Sequence, residues 1–356
     1  MELILCRNYP ENHFDFQVQS VKVPYKAKKI LQFVQGLTFH KIDPSLRMLL
    51  DAWVVGRACN DSPEVDIIQS PNYKFLGLFV NHKKTRLVVR ASSYRPLWEE
   101  SPFFTLNAKL TSWLEGRLYQ RADAVFAPSK HLADILTQAF HRQVDVLPSP
   151  IPETDIEEDH RFYNEHLAGK KYILFFGSIL KRKGIFILAE AMKQVWTSQP
   201  EVLLVLAGPD IQVNGKSNYQ RFNALLGENS EKVIYCGNLG QEQLFPVIRN
   251  SYFTVSPSLE DNCPNSMLEA MALGKIVLGT SGSSMDEFYP STCQELLVPC
   301  GEVQPLVEKL LWLWNLPLER IQFFEQEGKQ FVEQHHSLIG SVSALRDYYQ
   351  RILAQS

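Results

Sequence analysis

Five short apolar runs in the second half of the chain constrain its fold more than any other feature. They are KYILFFG (171–177), VLLVLAG (202–208), KVIYCG (232–237), YFTVSPS (252–258) and GKIVLGT (274–280). Each has the length of a strand, and a continuous apolar run of that length marks a strand buried on both faces. Helical patterns separate them. GIFILAEAMKQVW (184–196) sets Ile185, Leu188, Ala191, Met192 and Val195 on one face. QEQLFPVIRN (241–250) reads as a short helix that Pro246 bends or delays, because proline lacks the amide hydrogen a helix interior needs. Strands alternating with helices build a parallel sheet covered on both faces. In such sheets ligands gather outside the carboxyl ends of the strands.

The first half is less regular. SPEVDIIQSPNY (62–73), RLVVRASS (86–93) and ADAVFAPSKHLADIL (122–136) each read as a strand followed by a loop or helix. Residues 102–121 read as an amphipathic helix with Trp113, Leu114, Leu118 and Tyr119 on one side. QVDVLPSPIP (143–152) runs a last strand into a polar, acidic, proline-bearing link over 151–170. A length of 356 residues suits two domains at roughly 100–200 residues each. The expected division is 1–155 and 165–337, with a closing helix in 338–356 that packs back on the first domain.

Charge is uneven between the halves. Residues 1–150 hold 19 Lys and Arg against 14 Asp and Glu, and the remainder holds 17 against 25. The net charge of −3 excludes nucleic-acid binding by bulk charge, while the basic half can meet an anionic partner. VPYKAKKILQFVQGL (23–37) sets Lys26, Lys28 and Lys29 beside Ile30, Leu31, Phe33, Val34 and Leu37. That pattern fits a helix on an anionic membrane, or a core-facing helix with solvated lysines. The six cysteines show no zinc or redox spacing and read as reduced thiols of a cytoplasmic protein. No signal peptide is read at Met1–Cys6, and no run approaches the ~20 apolar residues of a membrane span.

PSLEDNCPNSMLEAMALGKIVLGT (257–280) carries the chemistry. Pro264 suits a first helical position and Gly274 suits the helix end, so a helix of about ten residues opens beyond the strand ends. Its free amides and dipole favour an anion. Asp261 stands before the helix and Glu269 lies eight residues further on. A carboxylate accepts hydrogen bonds from sugar hydroxyls, so the two acids can hold two hydroxyl-bearing rings with charge between them. Acids at a helix N-terminus also stabilise the dipole with no ligand at all, by about 0.3–1 kcal/mol each.

EDNCPNSMLEAMALGKIVLGT resembles the acid-x7-acid signature of family 4 retaining glycosyltransferases of the GT-B fold. FFGSILKRKGIFILAEAM is similar to their donor-phosphate loop, LLVLAGPD and VIYCGNLGQEQL follow in the family's order, and ADAVFAPSKHLADIL resembles the end of its N-terminal domain. The resemblance implies an α/β chain of two Rossmann-like domains facing a central cleft. It implies that Glu269 binds the ribose of a nucleotide-sugar and that Asp261, in the first acid position, holds the donor sugar. Asn262, Cys263, Asn265 and Ser266 would approach that sugar through their amides. Lys183 matches the phosphate-binding lysine, and Gly177 and Ser178 open the loop. Ser178 stands where the family has arginine, which leaves Arg182 to complete the clamp. Asn238 and Leu239 fall where the family holds the base, and Arg90 ends a strand where phosphate or acceptor would lie. Asp261 is one methylene shorter than the usual glutamate, so adjacent Glu260 is a second candidate.

The family normally opens on a strand and a glycine-rich loop, whereas the first glycine here is Gly36, so that start is shortened or rebuilt. No Asp-x-Asp occurs, so no divalent metal and no cofactor is expected, and Lys183, Arg182 and helix-end amides would meet the leaving-group charge. The reading is a metal-independent retaining hexosyltransferase of polysaccharide or glycolipid synthesis. Its partners would be a nucleotide-sugar donor, a glycan or lipid-linked acceptor and an anionic membrane at the inner face of the cytoplasmic membrane. The alternatives are an inactive nucleotide-sugar-binding or scaffold protein, or another GT-B enzyme such as an epimerase.

Overall fold

The computed structural model describes residues 2–8, 14–20, 43–60, 65–81, 85–94, 106–151, 154–213 and 215–355. The basic segment 23–37, with Lys26, Lys28 and Lys29, lies outside the described residues. Contacts divide the chain into one unit of Met1–Pro148 with Val342–Ser356 and a second of Ser149–Ser341. Among the described residues no helix is long and apolar enough to cross a membrane.

The first unit is built on six strands: β1 (Glu2–Asn8), β2 (Phe14–Ser20), β3 (Ile67–Pro71), β4 (Arg86–Arg90), β5 (Ala124–Ala127) and β6 (Asp145–Val146). Their order is β2-β1-β3-β4-β5-β6. β3 to β6 are parallel, while β1 pairs antiparallel with both β2 and β3, so this sheet is mixed. Helices α1 (Asp43–Asn60), α2 (Leu106–Arg121) and α3 (Lys130–Phe140) belong to this unit. The two-residue period of a strand explains both faces of the sheet. Ile68, Leu87, Val89, Val125 and Ala127 face one core with Leu114, Leu118 and Leu132. The alternate residues Ile67, Val88 and Phe126 face a second core, closed by Tyr348, Tyr349 and Ile352. The Tyr349 hydroxyl donates to Gln69 Oε1 at 2.7 Å and that of Tyr348 to Asp145 Oδ2 at 2.9 Å, which meets the need of a buried hydroxyl for a partner.

Trp113 departs from expectation. It is 58% exposed, with the Arg117 guanidinium 5.7 Å from its ring, while Leu114, Leu118 and Tyr119 are buried. At about 100° per residue Trp113 cannot share the inward stripe of Leu114 and Leu118. Between β3 and α2, Lys74 (φ 58°) and Phe75 (φ 54°) are consecutive left-handed residues, each costing roughly 1–2 kcal/mol without glycine.

The second unit continues with α4 (Arg161–His166), β7 (Tyr172–Phe176), α5 (Ile185–Ser198) and β8 (Leu203–Ala207). A short hairpin follows, β9 (Gln212–Val213) and β10 (Lys216–Ser217), then α6 (Asn218–Leu226), β11 (Val233–Tyr235) and α7 (Gln241–Arg249). The remainder is β12 (Phe253–Val255), α8 (Asn265–Ala272), β13 (Val277–Ser281), β14 (Leu297–Pro299), α9 (Val303–Trp314), α10 (Leu318–His335) and α11 (Leu338–Ala354), whose residues from Val342 count with the first unit. The six-stranded sheet is parallel throughout and runs β11-β8-β7-β12-β13-β14. Counted along this unit that is the doubly wound order 3-2-1-4-5-6, whose direction reverses between β7 and β12. Ile185, Leu188, Ala191, Met192 and Val195 are buried against this sheet, as their spacing predicts. Pro246 neither delays nor ends α7, which starts at Gln241 and carries the proline inside it, buried in the core.

Candidate active site

The crevice rule places a ligand where strand order reverses, at the carboxyl ends of β7 and β12. Both chain segments leaving those ends carry charged residues. After β7, Gly177 and Ser178 lead into a 3-10 turn of Lys181–Lys183 that ends at Gly184 in the left-handed region. After β12, residues 256–264 lead to α8. The two segments are tied together. Leu259 N donates to Arg182 O at 2.8 Å, and a Cβ on Gly184 would stand 1.7 Å from the Pro257 carbonyl oxygen. Only glycine permits both this approach and φ 72°. Next door, a Cβ on Gly208 would meet the Gly177 oxygen at 2.1 Å, so the β7 and β8 ends also close backbone to backbone.

Lys183 and Asp261, 78 residues apart in sequence, meet here. Lys183 Nζ donates to Asp261 Oδ2 at 2.5 Å, with side chains 20% and 8% exposed. Asp261 Oδ1 accepts from the Asn262 amide at 3.0 Å, and the Asp261 carbonyl accepts from Ser284 Oγ at 2.5 Å. Both carboxylate oxygens and the backbone of this residue are thus engaged by protein groups. Further along the loop, Thr280 Oγ1 donates to Ser258 O at 2.6 Å and Cys300 Sγ contacts Leu259 O at 3.1 Å. Sequence reasoning missed Ser284, Thr280 and Cys300, which come from the ends of the neighbouring strands β13 and β14. Ser284 lies in a Ser-Gly-Ser-Ser run just past an apolar strand, the one signal that pointed to a polar turn there.

Helix α8 begins at Asn265, with Pro264 in the cap position just outside it, and spans eight residues. The expected row of free amides is shorter than the sequence implies. Asn262 N is held by Asp261 and Asn265 N by the Cys263 carbonyl at 2.9 Å. The amides of Ser266 and Met267, in the first turn, have no intrahelical acceptor. Cys263 is half-buried, with Sγ 3.4 Å from Asn265 Oδ1.

Glu269 sits one turn further in on α8, half-buried. Among the described residues no hydrogen bond or ion pair reaches its carboxylate, and burial pushes its pKa up. An acid placed so is costly to the fold unless a ligand supplies donors. Asn238, exposed, and Leu239, half-buried, follow β11 on the same edge of the sheet. Arg90 belongs to the first unit, at the end of β4, with its side chain exposed and its carbonyl accepting from Asn72 N at 3.0 Å.

The arrangement offers cations, helix-end amides and an acid that is unpartnered among the described residues, at one strand edge, a combination suited to a ligand with both anionic and hydroxyl groups. Comparison with known proteins agrees. Residues 156–331 match the family model described as glycosyl transferases group 1, and residues 3–150 match the glycosyl transferase 4-like domain. The uncharacterized glycosyltransferase YqgM of Bacillus subtilis (strain 168) is 21% identical over 242 residues. That match takes in 68% of this chain and 65% of YqgM, just under two thirds of its length. Among solved structures, sucrose-phosphate synthase from Thermosynechococcus elongatus is similar at a TM-score of 0.72 and 17% identity, over 87% of this chain and 79% of that one. Anabaena Alr3699/HepE, solved in complex with UDP-glucose, is similar at 0.68 and 15%, over 85% and 82% of the two chains. A glycosyltransferase from Rickettsia africae gives 0.67 and 14%, over 87% and 82%. These likenesses establish a GT-B fold.

Proposed function

Because the chain belongs to the group 1 glycosyltransferases, we propose that it moves a hexosyl group from a nucleotide-sugar to a hydroxyl acceptor, with retention and without a metal ion. The observation that carries this reading is Glu269, a half-buried carboxylate that no hydrogen bond or ion pair reaches among the described residues, one turn into the helix that follows the loop of Asp261, the partner of Lys183. Glu269 takes the two ribose hydroxyls. Lys183 and Arg182 take the diphosphate together with the Ser266 and Met267 amides. With no Asp-x-Asp in the sequence, these cations and dipoles must stabilise the leaving group electrostatically.

In the transfer step the bond from the anomeric carbon to the phosphate oxygen breaks and a bond to the acceptor oxygen forms on the same face. The acceptor's proton passes to a phosphate oxygen of the departing nucleotide. Asp261 holds Lys183 against that phosphate and reaches the donor sugar from the loop before α8. A glycan or lipid-linked acceptor, used in polysaccharide or glycolipid synthesis at the inner face of an anionic membrane, fits the family and the basic first half of the chain.

The test is a panel of nucleotide-sugars incubated with the full chain in EDTA. One donor should be bound and slowly hydrolysed to the nucleoside diphosphate, and transfer should keep the donor's anomeric configuration. Activity lost in EDTA and restored by Mg²⁺ or Mn²⁺ would sink the metal-free step, and an inverted product would sink retention.

A further inference from the structure

A groove of about 520 Å³ lies between α2 and the end of α3. Every residue that lines it belongs to the first unit. Leu114 and Leu118 of α2 turn to the core, and the groove takes the other side of the same helix, through Lys109, Trp113, Gly116 and Arg117. One end of it is marked by Gln120, the last residue but one of α2, and by His141, which caps α3. From there the chain enters β5 and β6. That end therefore lies at the amino edge of the sheet, opposite the carboxyl ends where the crevice rule places ligands.

Close packing fixes the floor. A Cβ on Gly116 would stand 3.1 Å from Phe140 Cδ1, so glycine lets the ring edge rest on α2. The Phe140 ring centroid is 4.9 Å from that of buried Tyr119, and the Phe140 carbonyl accepts from Gln120 Nε2 at 3.0 Å. Arg142 ties the same edge, donating to Ala122 O at 2.8 Å and to Asp123 O at 2.9 Å. The groove is thus held in shape by fixed helices. Trp113 stands as its exposed wall, with the Arg117 guanidinium beside the ring. Tryptophan and arginine are the residue types that dominate binding energy at protein interfaces.

The charges select the occupant. Lys109 and Arg117 are exposed, two turns apart on α2. Among the described residues no ion pair reaches either, and no acid lines the groove. A second copy of the chain, seated across a two-fold axis, would set these cations against their own equivalents. A bilayer is flat on this scale and would meet the tip of Trp113 while leaving the floor unfilled. Two cations also fall short of the roughly four to eight that mark an anionic-lipid site. An amphipathic helix satisfies both shape and charge. From Lys109 to Gln120 α2 rises about 17 Å, the length of three turns of a seated helix with apolar anchors at i, i+3 or i+4, and i+7. We propose that this groove docks a three-turn amphipathic helix of another protein. Its apolar stripe fills the space against Trp113 and Phe140, and acids flanking the stripe pair with Lys109 and Arg117.

Fluorescence polarisation of the full chain with three labelled helical peptides of about 14 residues tests it. One carries a leucine stripe flanked by glutamates, the second the same stripe flanked by lysines, and the third the glutamates with the stripe scrambled. The first should bind at roughly 10–100 μM and weaken as salt is added, and the other two should bind at least about tenfold more weakly. Trp113→Ala should weaken the first peptide about tenfold or more. Lys109→Glu combined with Arg117→Glu should reverse the preference in favour of the lysine peptide. All three positions are exposed, so melting temperatures should move by less than about 2 °C, which checks folding. No binding of the first peptide, equal binding of the first two, or a preference untouched by charge reversal would each overturn the assignment. So would two rival results. Phosphatidylglycerol vesicles that bind the chain through Trp113 while no peptide does would assign the surface to a bilayer. A dimer in sedimentation that Trp113→Ala disperses would assign it to a second copy.

Discussion

Replacing Asp261 with asparagine should tighten the binding of a nucleoside diphosphate while slowing sugar transfer. The Oδ2–Nζ contact is 2.5 Å, and a phosphate oxygen on the far side of the same ammonium would lie about 2.8 Å from it. The two anions then stand about 5 Å apart on one lysine. Like unit charges at that distance repel by about 3 kcal/mol at an effective dielectric of 20, and by about 0.8 kcal/mol in bulk water. Side chains only 8% and 20% exposed lie nearer the first limit. Asparagine keeps an amide oxygen, which can serve either Lys183 or the Asn262 amide, but drops the charge. A weaker hold on Lys183 offsets part of the gain, leaving about 1 kcal/mol, or roughly fivefold in Kd. Isothermal titration with UDP and GDP reads this directly. Lys183→Ala should lose about tenfold or more, one charged hydrogen bond, whereas Lys181→Ala should change little because Lys181 is exposed. An Asp261→Asn protein that folds yet binds fivefold more weakly would refute the reasoning, and would mean that holding Lys183 in place outweighs the repulsion.

Glu269→Gln should lose nucleotide affinity and yet melt higher than the natural chain near neutral pH without nucleotide. Burial raises the folded pKa, so the acid's stabilising form is fully present below its unfolded value of about 4.3 and is lost as pH rises through the raised folded value. The advantage of glutamine should therefore appear at neutral pH and vanish below about pH 4; melts across that range check it, and a lower-melting variant at pH 7 contradicts it. Gly184→Ala should lower stability by more than the roughly 1–2 kcal/mol of a left-handed alanine, because Pro257 must move, and should weaken nucleotide binding with it. Gly215→Ala, also at φ 72° but with nothing within 4 Å, isolates the backbone part, and equal melting shifts in the two variants would remove the claimed loop contact.

The second unit was legible because parallel strands covered on both faces read as unbroken apolar runs, and each of its five main runs became a strand. Asp261, Glu269 and Lys183 were singled out through the resemblance of their stretches to a family motif. That Asp261 reaches Lys183 was not legible, since a contact over 78 residues depends on strand order, which no local pattern encodes. Trp113 was misread because a large apolar residue beside Leu114 looks inward in a list and outward on a helix. The antiparallel pairing of β1 was equally hidden, as alternation along a strand is the same in either direction. The burial of Glu115 in α2 was missed because a lone acid in an amphipathic helix reads as solvated surface, and only tertiary packing shows it 4% exposed.

The last helix gives the chain an order of assembly. Residues 149–341 form a unit complete in itself, whereas the first unit lacks one cover of its sheet until Tyr348, Tyr349 and Ile352 exist. At 5–20 residues per second, roughly 10–40 s of synthesis separate Pro148 from Val342. Throughout that interval Ile67, Val88 and Phe126 are an open apolar face on a nascent protein, so the half made first is the half finished last. The position of seventeen C-terminal helical residues sets this order, and a ribosome that stalls late leaves the earlier unit, rather than the later one, with an apolar sheet face uncovered.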